Sequence, residues 1–138
     1  MKIKFSQVKD LVEPTSGIYE IFTNEGIALK VGIAKDLKKR LTDHGKSKQS
    51  RIKIKDATQA MEPHNVISKK SILAKHLYFD RNISKNYDLT TELGRQAFLE
   101  HECYVVVTRT STREEARVLE IKLEKVRIHR YLGLVIWR

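Results

Sequence analysis

The stretch Gly17-Ile-Tyr-Glu-Ile-Phe-Thr-Asn-Glu-Gly-Ile-Ala-Leu-Lys-Val-Gly-Ile-Ala34 decides how the rest of the chain is read. Val, Ile, Tyr and Phe favour extended backbone, and Asn24-Glu25-Gly26 between them supplies turn residues. The spacing therefore predicts a hairpin with strands over about 17–23 and 27–34. In the second strand Ile27, Leu29, Val31 and Ile33 alternate with Ala28, Lys30 and Gly32, giving one apolar face and one small or polar face. With Asn24 and Glu25 as the loop, Phe22 falls opposite Ile27 and Tyr19 opposite Lys30, their Cβ atoms about 5 Å apart on one face. Asp36 is then placed to cap a short helix whose buried edge is Leu37 and Leu41 and which Gly45 ends. Arg40 and His44, four residues apart, share one face of that helix. Two hydrogen-bonded strands and a helix within thirty residues are a rigid base on which polar groups can be held.

Outward from this stretch, Ser6 to Glu13 reads as a short helix capped by Ser6, with Val8, Leu11 and Val12 inward, stopped by Pro14. Beyond the basic helix, Arg51-Ile-Lys-Ile-Lys55 alternates charge and apolar residues like an edge strand or extended arm, and 56–68 reads as a loop. Helices are expected over Ser68 to Phe79, with Ile72, Leu73, Leu77 and Tyr78 inward, and over Thr90 to Glu100, with Leu93, Ala97 and Phe98 inward. Cys103 to Thr108 is an apolar strand. Ser111 is expected to cap a long helix from Thr112 to His129, with Glu114 placed for a capping box. On that helix Ala116, Leu119, Leu123 and Val126 fall within about 80° of arc and define the buried stripe. Glu120 lies about 40° outside it. A carboxylate at such a margin snorkels to solvent, pairs with a cation or binds a metal. The tail Tyr131-Leu-Gly-Leu-Val-Ile-Trp-Arg138 suits a final strand, a core plug or a partner surface.

At 138 residues, with 41% hydrophobic and 32% charged residues and two prolines, the chain is expected to form one globular domain over 1–138. No apolar run approaches the roughly 18 residues of a membrane span. A single Cys103 cannot form an internal disulfide, so a reducing cytoplasm is the expected compartment. The net charge is +10, and Lys30 to Lys55 alone holds ten basic and two acidic residues. That local excess suits a polyanion, nucleic acid being the commonest, and equally a solvated basic face; an anionic membrane surface fits less well, because the stretch lacks a strongly apolar helical face to insert. His64, His76, His101 and His129 lack zinc-ligand spacing, and Cys103 lacks ordered His and acid partners, so core or surface roles are expected for them.

Gly17-Ile18-Tyr19, Lys30-Val31-Gly32, Arg40, His44 and Glu120, in this order and at these spacings, resemble the GIY-YIG nuclease superfamily. The resemblance spans about 17–44 and 103–125. It implies a small α/β domain with a three-stranded antiparallel sheet flanked by helices, interrupted by a helical and basic insertion at about 45–100. It implies an endonuclease that hydrolyses DNA phosphodiester bonds with one divalent ion, Mg²⁺ or Mn²⁺. Carried over residue by residue, Glu120 is the metal ligand, Tyr19 activates or positions the water, Arg40 holds the scissile phosphate, and His44 bonds the phosphate or the nucleophile. Gly32 lets the backbone pack closely beside the site. Lys30 stands where the family has a second tyrosine. If it faced Tyr19, its charge would favour phenolate and make Tyr19 a better base. Arg130-Tyr131-Leu132-Gly133 stands where an asparagine typically follows the helix. These two departures leave a second reading open: a catalytically degenerate domain that binds nucleic acid or protein. Lys35, Lys38, Lys39, Lys46, Lys48, Arg51, Lys53 and Lys55 are expected to contact the nucleic-acid backbone. Cutting both strands of a duplex would take two visits or a homodimer, and a partner protein is the other expected associate, as a source of specificity.

Overall fold

The computed structural model of the chain describes residues 1–48, 72–126 and 128–131. The expected arm with Arg51, Lys53 and Lys55, the loop over 56–68 and the tail from 132 lie outside those residues.

The hairpin forms from β2 (Gly17–Thr23) and β3 (Ala28–Ala34). Its loop has three residues. Thr23 N–H donates to the Ile27 carbonyl and Gly26 N–H to the Thr23 carbonyl, each at 2.9 Å, and Gly26 sits at φ 93°. Glycine adopts that left-handed conformation at no steric penalty, so the longer loop prevails over a two-residue turn. With an irregularity between Ile21 and Phe22, the register becomes Tyr19 opposite Gly32 and Lys30 opposite Ile21. The expected Tyr19–Lys30 pairing is therefore displaced by two residues. Because the side-chain period is two, Lys30 nevertheless stays on Tyr19's face of the sheet.

β2 is a central strand. On its far side lies β4 (Cys103–Arg109), and β4 in turn pairs with β1 (Lys2–Ile3), giving an antiparallel sheet of order β1-β4-β2-β3. Four strands replace the expected three. Two residues are too few to carry an alternation signal, but Ile3 is buried and Met1 exchanges backbone bonds with Val107 at 2.8 and 3.0 Å.

A 3₁₀ turn (Phe5–Gln7) leads into a single-turn helix α1 (Val8–Leu11), which ends before Glu13 and leaves Leu11 48% exposed. Lys4 N–H, not a Ser6 cap, is satisfied there by Gln7 Oε1 at 2.9 Å. Helix α2 (Leu37–Lys46) starts as expected: Asp36 Oδ1 accepts the Lys39 N–H at 3.0 Å, and Leu37 and Leu41 are fully buried. It does not stop at Gly45. It runs to Lys46 and ends at Ser47 with φ 42°.

The reason lies in α4 (Glu92–Glu102), which follows α3 (Ile72–Phe79). The fully buried Arg95 donates to Ser47 Oγ at 3.0 Å, to the Ser47 carbonyl at 2.9 Å and to the Leu89 carbonyl at 3.1 Å. Gln96 Nε2 donates to the Lys46 carbonyl at 2.8 Å. Side chains from α4 thus satisfy carbonyls that a helix end leaves orphaned, and a glycine is not needed to end it. Docking Arg95, Phe98 and Leu99 turns Leu93, expected inside, to 76% exposure. Leu73 and Leu77 of α3, Phe98 and Leu99 of α4, and Tyr19, Ile21, Val105 and Val107 of the sheet join Leu37 and Leu41 in one core cluster.

The last helix, α5 (Arg113–Lys125), is capped by Thr112, one residue later than expected. Thr112 Oγ1 accepts the Glu115 N–H at 3.2 Å, and Glu115 reaches back to the Ser111 N–H at 3.0 Å. The helix stops short of His129. Arg130 and Tyr131 instead bond the Ala28 and Leu29 carbonyls through their backbone N–H groups at 2.8 Å. The Asp80 carboxylate clamps both side chains, with Arg130 Nη2 at 2.9 Å and Tyr131 Oη at 2.8 Å. The expected stripe is shallow: Ala116 is buried, Leu119 and Leu123 are half-buried, and Val126 is 60% exposed. No helix among the described residues is long and apolar enough to cross a membrane.

Candidate active site

Tyr19 sits in the middle of the central strand with its ring laid across Gly32. A Cβ at position 32 would stand 2.3 Å from Tyr19 Oη and 2.5 Å from Cζ. The space that Gly32 leaves is therefore filled by the phenol itself. From α2, His44 reaches the same spot: Tyr19 Oη and His44 Nε2 are 2.7 Å apart, with ring centroids at 5.4 Å and planes tilted by 58°. His44 Nε2 is thus taken by the tyrosine rather than presented to a ligand.

Burial fixes the protonation of this pair. It pushes the Tyr19 hydroxyl above the ordinary phenol range, with Arg40 opposing and Glu120 adding to the effect. It also depresses His44, with the positive charges of Lys30 and Arg40 contributing, to about 3. Both directions favour the neutral forms at pH 7, and in the tautomer that carries its ring proton on Nδ1, His44 accepts the phenol's hydrogen bond. Lys30 is not the agent that would make Tyr19 phenolate. It lies across from Ile21, and its own affinity for a proton is lowered by burial and restored in part by Glu120.

The remaining members close around this pair. Tyr19, Lys30, Arg40, His44 and Glu120 all line a single open cleft of about 1100 Å³. β3 forms its floor, α2 one wall and α5 the other. Arg40 is exposed one turn before His44. The Glu120 side chain is only 12% exposed, and Arg117 Nη1 stands 3.4 Å from its Oε1, a loose contact. Burial, and Glu124 beside it, hold Glu120 above the usual carboxylate range despite Arg117, Lys30 and Arg113.

Such a carboxylate has an unmet demand for positive charge, which a divalent cation would meet. Among the described residues no group of three or more His, Cys, Asp or Glu side chains forms a metal cage. Glu120, with Glu124 beside it, suits an ion that keeps several waters and takes its other ligands from a phosphate, as Mg²⁺ does.

Of the basic residues expected to touch nucleic acid, Lys35 and Lys39 line the cleft, whereas Lys38, Lys46 and Lys48 do not. Sequence reasoning missed Arg113, Arg117 and Glu124, which line it from α5. The signal was present: Arg113, Arg117, Glu120 and Glu124 recur at intervals of four, three and four, one face of a helix. The other candidates have ordinary roles. His129 Nε2 lies 2.9 Å from Glu20 Oε2, and His76 stacks on Tyr131 at 4.8 Å. Cys103 is buried in β4, and burial raises its thiol to about 12, far from a reactive thiolate.

The His44 environment predicts an acid response. Its folded pKa of about 3 lies below the 6.5 of the free side chain. Between those values the unfolded chain binds the proton that the folded chain refuses, so stability is complete above pH 6.5 and falls as pH drops toward 3. Denaturant unfolding from pH 6.5 to 5 should lose about 1.4 kcal/mol per pH unit from this group at the steepest. His44→Gln should remove that part of the slope. An unchanged slope would mean that His44 is not held neutral.

Comparison with protein-family models finds no match to this chain, and comparison with curated proteins finds none either.

Proposed function

We propose that the chain is a divalent-metal-dependent endonuclease of the GIY-YIG type, hydrolysing DNA phosphodiester bonds with Mg²⁺ or Mn²⁺. The observation that carries this reading is the gathering of Tyr19, Lys30, Arg40, His44 and Glu120, drawn from β2, β3, α2 and α5, around one cleft beside a 2.7 Å Tyr19–His44 hydrogen bond. On this reading Glu120 holds the metal. The metal would neutralise phosphate charge and acidify a bound water. The Arg40 guanidinium binds the scissile phosphate as a planar donor that stays charged. Tyr19 Oη orients the attacking water and takes its proton while passing its own to His44 Nε2. Burial depresses His44, and the charges of Lys30 and Arg40 add to the effect. A bound phosphodiester would offset those two charges and raise the basicity of His44 when it is needed. Lys30 donates to the phosphate in place of the family's second tyrosine.

The departure at Lys30 and the neutral, buried state of Tyr19 favour a second reading, a degenerate domain that binds nucleic acid or a partner protein without cutting. Incubation with supercoiled plasmid, single-stranded and branched DNA, with and without Mg²⁺ or Mn²⁺, separates the two. The nuclease nicks at least one of these substrates only with metal. Salt-sensitive binding with no cleavage of any of them supports the binding module and defeats the nuclease. Duplex scission, if it follows nicking, would take a second visit or a second copy of the chain.

A further inference from the structure

Arg113 and Arg117 are absent from the residues that the resemblance assigns, yet both line the cleft from α5. Neither has an evident structural task. Arg113 is exposed and forms no hydrogen bond or ion pair among the described residues. Arg117 is 65% exposed and has only the loose 3.4 Å contact to Glu120. Arg109, just before α5, shows the ordinary alternative: it pairs with Glu13 at 3.2 Å and does not line the cleft. Two long cations held on the rim of a cleft whose other wall carries Lys35, Lys39 and Arg40 are placed for a polyanion between the walls.

We infer that α5 is the second wall of a nucleic-acid clamp, in which Arg113 and Arg117 bind two backbone phosphates about two nucleotides apart on the strand that Glu120 faces. This rests on the nucleic-acid reading of the cleft given above. Four residues of helix advance about 6 Å and seven about 10 Å, while one strand of a duplex advances about 3.4 Å per nucleotide. From Glu120 to Arg113 the helix thus spans roughly three nucleotides. As phosphate contacts, Arg113 and Arg117 would set position and footprint but not sequence.

The test is the salt dependence of binding to a short labelled DNA duplex in EDTA, where no metal-dependent cleavage occurs. Arg113→Gln and Arg117→Gln should each weaken binding and each reduce the slope of log K against log salt by about 0.9, the loss of one phosphate contact. Arg113→Lys and Arg117→Lys should keep the wild-type slope, since a lysine still meets a phosphate as a point charge. Lys85→Gln, an exposed charge outside the cleft, should leave the slope unchanged. Arg113→Gln decides the matter, because Arg117 also touches Glu120.

A wild-type slope in Arg113→Gln, or no binding of DNA by the wild-type chain, overturns the clamp. The two proposals fail separately. Reduced slopes without cleavage of any substrate leave the clamp standing and remove the nuclease. Metal-dependent cleavage with unchanged slopes does the reverse. Binding of an acidic protein but not of DNA removes both.

Discussion

Glu120→Gln is expected to reduce metal-dependent cleavage by on the order of 10³-fold, while DNA binding measured in EDTA is kept or tightened. The magnitude follows from the several kcal/mol that a positioned metal contributes to a phosphoryl transition state, at about 1.4 kcal/mol per tenfold in rate. The binding result follows from charge, since the substitution removes a negative group from the cleft wall at nearly constant shape. Stability should move the opposite way from activity. Burial and Glu124 disfavour the charged form of Glu120 in the folded chain, so a neutral amide there should raise the midpoint of thermal unfolding. A residue that destabilises the fold and is required for the reaction is the signature of a functional site. Equal rates for wild type and Glu120→Gln would remove the carboxylate from the reaction. A loss of rate accompanied by a lower unfolding midpoint would point to a structural role. Single-turnover cleavage and thermal unfolding measured on the same preparations make the comparison.

Gly32→Ala is the substitution expected to couple fold and site most strongly. The new methyl would lie 2.3 Å from Tyr19 Oη and 2.5 Å from Cζ, inside any tolerable contact. The floor of the cleft is hydrogen-bonded β3 and cannot give way, so the phenol must swing off His44. Overpacking of this kind costs about 1–3 kcal/mol, and leaving the buried hydroxyl and imidazole unpaired adds a further penalty of about 1–3 kcal/mol. Cleavage should fall at least as far as in Tyr19→Phe, because the alanine displaces the whole ring. Gly26→Ala is the control. Nothing lies within 4 Å of its added methyl, and only its φ of 93° is unfavourable. It should lose about 1 kcal/mol of stability with no effect on the reaction. Denaturant unfolding and cleavage rates for the two alanine variants separate these outcomes.

Local patterns in this chain were legible where a short-range rule acted alone. The alternation from Gly17 to Ala34, the Asp36 cap with Leu37 and Leu41 beneath it, and the apolar run at Cys103 each became the element that the residues implied. What stayed hidden was set by contacts distant in sequence or by a single dihedral angle. Gly26 at positive φ lengthened the loop by one residue, and the irregularity between Ile21 and Phe22 added another, so that Tyr19 moved from Lys30 to Gly32. Arg95, forty-eight residues beyond Ser47, carried α2 past the glycine that locally should have ended it. β1 is too short for any pattern to reveal.

The candidate site was legible as a set of residues but not as a set of contacts. Its members fall within one cleft, yet the partner of Tyr19 is His44 and not the lysine that the strand pattern placed opposite. The charged face of α5 was misjudged for a related reason. A helix that borders a cleft turns polar residues toward the protein, and the apolar stripe of a fully packed helix is a poor guide to it.

On the proposed nuclease reading, Tyr19, Arg40, His44 and Glu120 act as one reacting unit. Side chains that act as a unit are strongly non-additive when removed together. The most direct measurement is therefore single-turnover cleavage of supercoiled plasmid in Mg²⁺ by wild type, Tyr19→Phe, Glu120→Gln and the double variant. Metal-dependent cleavage by wild type, large losses in both single variants, and a double variant little slower than the slower single are expected. Losses that multiply independently, or wild-type cleavage indifferent to Mg²⁺, would contradict that reading.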